Sequence, residues 1–141
     1  MNLLIGYGNS MRSDDGIGPH VANHMSQQNI PGLICQTTQQ LQLEVLEDAV
    51  NYDRVILVDA HEGGEEIVYR RIKPRDFLTM SSTHHLSPEL FSELAKVLYG
   101  KNLDLHVCSI RGESFDIGNS ISAETIQRSH KAIDRIRSLL T

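Results

Sequence analysis

Leu3-Leu4-Ile5-Gly6-Tyr7-Gly8-Asn9-Ser10-Met11-Arg12-Ser13-Asp14-Asp15-Gly16-Ile17-Gly18 opens this chain with an apolar run of strand length, then two glycines, then a pair of carboxylates. The glycines permit a tight turn after residue 7, and an amphipathic segment begins where the carboxylates end. From Ile17 onward, Val21 and Met25 recur every four positions and share one helical face. Pro19 fits such a helix only in its first turn, where the missing N–H has no partner to lose. The stretch therefore predicts a strand, a loop and a helix start, with Asp14 and Asp15 at or just before the helix N-terminus. One carboxylate there is enough to cap the helix and face its dipole. The second, held at the carboxyl end of a strand, stands where open α/β sheets place their ligands. Met11 occupies the position at which G-x-G-x-x-G needs its third glycine, which excludes a dinucleotide fingerprint.

Outward from this opening the alternation continues. Asn29-Ile30-Pro31-Gly32 reads as a turn, and residues 33–38 as a more polar strand nearer an edge. Leu41, Val45, Leu46 and Ala49 have helical spacing through about residue 51. Val55-Ile56-Leu57-Val58 is a continuous apolar run, as in a parallel strand covered on both faces, and it ends at Asp59. Right-handed crossovers bring the carboxyl ends of such strands to one rim, so Asp59 and the Asp14/Asp15 loop are expected to share it. Beyond Gly63-Gly64, residues 66–72 are strand-like but charged, which suits an exposed edge and admits an antiparallel orientation. Residues 81–85 form a polar loop; Ser87 as N-cap and Pro88 at the first position then open a helix that Gly100 stops. Residues 103–110 make a further strand and 111–119 a loop. Ser122 begins a last helix, with Ile126, Ile133, Ile136 and Leu140 on one face. The expected fold is α/β: one domain over residues 1–141, a three-layer sandwich with an open, mostly parallel twisted sheet of about five strands and helices on both faces. Residues 3–7 and 55–58 should be its central strands.

Composition narrows the function classes. With 141 residues, 40% hydrophobic and 22% charged, the chain can bury one real core. Thirteen basic against eighteen acidic residues give a net charge of −5 with no basic cluster, which argues against nucleic acid and acidic membrane surfaces as partners. No apolar run approaches the roughly 20 residues that span a bilayer. Met1-Asn2-Leu3-Leu4 lacks a basic region, and a cytoplasmic location is expected. Cys35 and Cys108 show no C-x-x-C spacing and read as buried or half-buried thiols.

Three places offer metal-competent side chains at the ends of core elements: Asp14/Asp15, Asp59 and His84/His85. Two carboxylates and an imidazole suit a borderline divalent ion such as nickel or zinc, with positions left open for water or substrate. Singly, each could be a cap or a loop histidine bonded to backbone; delivered together to one rim, they make a site. His20 and His24 are spaced i, i+4, but Val21 stands where H-E-x-x-H has its glutamate, so a solvated face is expected. His61, His106 and His130 have no sequence neighbours that raise them above background. There is no G-x-S-x-G elbow and no histidine beside either cysteine to serve as its base, so covalent catalysis is not expected.

Gly6-Tyr7-Gly8-Asn9 followed by Ser13-Asp14-Asp15-Gly16-Ile17-Gly18 resembles the opening motif of the hydrogenase maturation endopeptidases, which trim the C-terminus of the nickel-iron hydrogenase large subunit. The resemblance extends to Val55-Ile56-Leu57-Val58-Asp59-Ala60, to Thr83-His84-His85-Leu86-Ser87-Pro88-Glu89-Leu90 and to Gly112-Glu113-Ser114-Phe115-Asp116-Ile117-Gly118, segments spread over nearly the whole chain. Aligned on G-x-G-N and H-x-L-S, it implies Asp15, Asp59 and His84 as the nickel-recognising and catalytic residues. The first acid is often glutamate in relatives, and His85 takes the place of His84 if the loop shifts by one residue. Asp14 is then expected to point toward the helix or solvent. The implied reaction is hydrolysis of one peptide bond near the C-terminus of a large-subunit precursor after nickel insertion. The nickel belongs to the precursor, and the enzyme itself is expected to be a monomer and metal-free as isolated. Water activated by the metal and water activated by an aspartate both suit these residues. Two other classes use the same ligands: a small-molecule metallohydrolase with its own bound ion, and a nickel-checkpoint chaperone that binds the precursor without cutting it.

Overall fold

Apolar residues at successive positions of two strands require cover on both faces, and the sheet supplies it. In a computed structural model, which describes residues 1–73 and 86–141, five strands lie in the order β2-β1-β3-β5-β4. β1 (Asn2–Tyr7), β2 (Leu33–Thr38), β3 (Arg54–Glu62) and β5 (Leu105–Gly112) are parallel, and β4 (Ile67–Arg71) runs antiparallel to β5. Leu3, Leu4, Ile5 and Val55 through Val58 are all 0% exposed, and β1 and β3 hold inner positions as expected. The more polar β2 and the charged β4 form the two edges.

The pleat sorts side chains with a period of two. Leu3, Ile5, Val55, Leu57, Leu105 and Val107 pack beneath α2 (Leu43–Ala49) and α3 (Pro88–Tyr99). Leu4, Ile56, Val58, Cys108 and Ile110 pack beneath α1 (Ile17–Ser26) and α4 (Ala123–Leu140). Helices therefore cover both faces. The Ser87 hydroxyl accepts from Leu90 N–H at 3.1 Å and Pro88 follows it, while Gly100, at φ 64°, ends α3 in a left-handed cap. Among the described residues no helix is long and apolar enough to cross a membrane.

Three boundaries differ from the sequence reading. β3 runs on through His61 and Glu62 instead of ending at Asp59, because β5 continues to pair with it as far as Glu62 opposite Gly112. β5 begins two residues later than expected, and α2 spans only Leu43–Ala49, with Leu41 buried ahead of it. Cys35 is half-buried and Cys108 buried, as expected. Burial, with the Asp59 carboxylate nearby, pushes the Cys108 thiol up to about 12, which leaves it unreactive.

Gly18 explains how the first helix is seated. A Cβ there would stand 2.4 Å from the Val58 carbonyl oxygen and 2.5 Å from that of Tyr7, so α1 starts in backbone contact with the end of β1 and the middle of β3. Gly18→Ala is therefore expected to lower stability by about 1–3 kcal/mol through overpacking. That outweighs the roughly 1 kcal/mol that alanine's helix propensity contributes. Urea denaturation measures the sign, and a stabilised variant would show that the helix start can shift freely.

Candidate active site

At the carboxyl end of the sheet the apolar layer on the α2/α3 face gives way to a polar row. Tyr7 lies opposite Thr38 and Asp59 opposite Ser109, while the Tyr7 hydroxyl donates to Asp59 Oδ2 at 2.6 Å. The row thus runs Thr38, Tyr7, Asp59, Ser109 across four strands, above Ile5, Leu57 and Val107. Asp59 Oδ1 is buried and has no hydrogen-bond partner among the described residues. Burial raises the Asp59 pKa above its ordinary value, against the opposing pull of the Ser109 and Tyr7 hydroxyls and of His61 and Arg70. Burial, with the adjacent Asp59 charge, likewise raises that of the Tyr7 phenol, which stays protonated and donates its O–H to the carboxylate.

The second carboxylate reaches the same rim through a 3-10 turn, Ser13–Gly16, that touches β3. Asp15 Oδ2 accepts from the Asn9 N–H at 2.7 Å. Gly8, at φ 149°, would place a Cβ 1.9 Å from the Asp15 carbonyl oxygen, so only glycine lets the loop fold back this closely. Ser13 N–H donates to Gly118 O at 2.8 Å and ties the turn to the loop after β5.

Asp14 departs from expectation. It points neither to α1 nor to solvent: its side chain is buried and accepts from Glu113 N–H at 2.6 Å, Ser114 N–H at 3.2 Å, Ser122 N–H at 2.7 Å, and the Ser122 and Thr125 hydroxyls at 2.9 Å each. It serves the N-terminus of α4, not that of the neighbouring helix. Burial alone would raise its pKa, but the N–H groups of Ser122 and Glu113 and the hydroxyls of Thr125 and Ser122 outweigh it and hold the carboxyl below its usual range.

The histidines divide clearly. His84 and His85 lie outside the described residues; Leu86, just beyond them, donates its N–H to Leu41 O at 3.2 Å, three residues past the end of β2. His20 and His24 are exposed, with the Gln28 amide donating to His24 Nε2 at 2.8 Å. His61 has both ring nitrogens engaged, Nδ1 with the Ser109 hydroxyl and Nε2 with Glu65 O, each at 2.8 Å. His106 lies near the opposite end of the sheet, where its Nε2–H donates to Asp104 at 2.8 Å and Nδ1 accepts from the Tyr69 hydroxyl at 2.5 Å. Burial lowers the His106 pKa, against the nearby Asp104 charge.

Among the described residues no three His, Cys, Asp or Glu side chains converge on one ion position. Asp15 and Asp59 are the two from the expected set that the structure brings to one rim, and the buried, unpartnered Oδ1 of Asp59 is chemically suited to a cation. Sequence reasoning missed Tyr7 and Ser109. Tyr7 is in phase with Leu3 and Ile5 along its strand, which was the available signal that it shares a face with Asp59.

β1 is flanked by β2 on one side and β3 on the other, and the chain changes direction between them. A three-layer α/β sandwich with two aspartates at this switch point has its candidate site where such sheets place their ligands. Solved structures share this fold. The NiFe hydrogenase maturation protease HycI from Thermococcus kodakarensis KOD1 matches with 23% identity and a TM-score of 0.77, over 99% of this chain and 91% of that one. The hydrogenase maturating endopeptidase HybD from Escherichia coli matches with 19% identity and a TM-score of 0.75, also over 99% and 91%. HybD from Thermococcus kodakarensis matches with 16% identity and a TM-score of 0.71, over 99% of each chain. No protein-family model and no curated protein matches the sequence. The chain has the fold of the NiFe hydrogenase maturation proteases.

Proposed function

We propose that this protein is an endopeptidase that removes the C-terminal extension of a nickel-iron hydrogenase large-subunit precursor once nickel has been inserted. The observation that carries the reading is Asp59. It sits at the switch point with one oxygen held by Tyr7 and the other buried and unpartnered among the described residues, at the rim where the Asp15 turn meets β3. The fold, shared along the full chain with solved maturation proteases, and the opening motif support the same assignment.

In this reading Asp15, Asp59 and His84 recognise the nickel that the precursor holds on its cysteines. Two carboxylates and an imidazole without a thiolate form an open set of modest strength, which the precursor's thiolates complete. The enzyme accordingly keeps no metal of its own, and it works as a cytoplasmic monomer. Water activated by the metal and water activated by an aspartate both suit this set of residues. A cleft of about 480 Å³, lined by the loop from Gly8 to Met11, by Pro19 and by Thr37 to Gln39, includes Asn9, whose N–H holds Asp15, and accommodates chain flanking the scissile bond.

The test compares precursor made with and without nickel, in buffer containing a chelator too weak to strip the loaded site. Mass spectrometry is expected to show loss of the C-terminal extension from the loaded form only. Equal cleavage of both forms, or stoichiometric zinc in the purified protein, would make it an ordinary metallopeptidase.

A further inference from the structure

Tyr7 lies between the two opening glycines, at a strand position where an apolar side chain would continue the pattern of Leu3 and Ile5. Its ring packs against the core cluster beneath α2 and α3, which holds the side chain in place. Its hydroxyl then reaches across to β3 and donates to Asp59 Oδ2 at 2.6 Å, within the short range of charge-assisted O–H···O bonds. The terminal torsion of an aspartate is broad and readily turned, so a carboxylate gripped at one oxygen differs in kind from one left free. With Oδ2 claimed, Oδ1 is the oxygen left for a ligand, and Oδ1 is the atom found buried without a partner among the described residues.

We propose that Tyr7 is a positioning residue that makes Asp59 a one-oxygen ligand for the nickel of the substrate. The proposal rests on the function set out above. Tyr7 touches neither metal nor peptide in this scheme; it acts through the carboxylate. A phenylalanine keeps the ring packing and removes only the O–H, so Tyr7→Phe isolates the effect. Partners that orient metal-ligating groups typically contribute about 10–100-fold to affinity or activity.

The experiment measures by calorimetry the affinity of the full-length protein for nickel-loaded and empty precursor, each carrying a substitution at the scissile bond that blocks cleavage. Wild type should prefer the loaded form. Tyr7→Phe should lose about 10–100-fold for the loaded precursor while its affinity for the empty precursor stays the same. In an Asp59→Ala background the same change should have no further effect on the loaded form, since the two residues act as one unit. An equal loss for both precursors would mean that the hydroxyl merely supports packing, and an undiminished nickel preference would mean that Asp59 needs no anchor; either overturns the proposal. A wild-type protein with no preference for the loaded form overturns the proposed function itself, and this inference with it.

Discussion

Asp59→Asn should fold normally and cleave nickel-loaded precursor at least about 10²–10⁴-fold more slowly than wild type, the range that a positioned acid or base contributes. The amide keeps the shape of the carboxylate and can still accept the Tyr7 hydroxyl, so β1 and β3 stay joined at the rim. What disappears is the negative charge, which either binds metal or takes a proton from water. Stability should move in the opposite direction from activity. The folded-state pKa of Asp59 is raised, so the folded protein holds this proton more tightly than the unfolded chain. Its carboxylate is therefore a stability cost that grows as pH rises from the unfolded value, near 3.9, through the raised folded value. The asparagine variant should lack that component of the pH dependence. Product mass and thermal melts between pH 4 and 8 read both effects. Wild-type cleavage by Asp59→Asn would remove Asp59 from the site.

The largest loss of stability is expected from Asp14. Asp14→Ala strands three backbone N–H groups and two hydroxyls that now converge on one buried carboxylate. Hydrogen bonds to a charged group contribute about 1.5–3 kcal/mol each and do not add fully, so a total cost of about 3–5 kcal/mol is expected. At roughly 2–4 °C per kcal/mol for a chain near this size, the melting temperature should fall by about 10 °C. The pH dependence runs opposite to that of Asp59. The Asp14 pKa is lowered on folding, so its contribution is fully present above the unfolded value near 3.9 and is lost as pH falls through the depressed folded value. Asp14→Asn should melt lower than wild type at neutral pH, and the gap should close on acidification toward pH 2. Parallel melting curves across that range would mean that the carboxylate is not what secures α4.

Two adjacent aspartates thus make different contacts, Asp14 with the start of α4 and Asp15 with the Asn9 N–H. Their location in a loop between a buried strand and a helix is legible from residues 3–18 alone, because a strand covered on both faces must be apolar at every position and a helix start must follow its glycines. The same reasoning places Asp59 directly after the buried run Val55–Val58 and assigns the edges, since charge at Arg70 and Arg71 is tolerated only where water can reach it. All of these are properties of a short window of chain. Which aspartate faces which partner is not: the donors that satisfy Asp14 lie 99 to 111 residues away, and the hydroxyl that grips Asp59 lies 52 residues away. The continuation of β3 to Glu62 likewise depends on β5 arriving beside it with matching register. Periodicity reports the face a residue will occupy, because that is set by its own backbone. Its hydrogen-bond partner is set by strand order and register, and those come into existence only when the five strands close into one sheet.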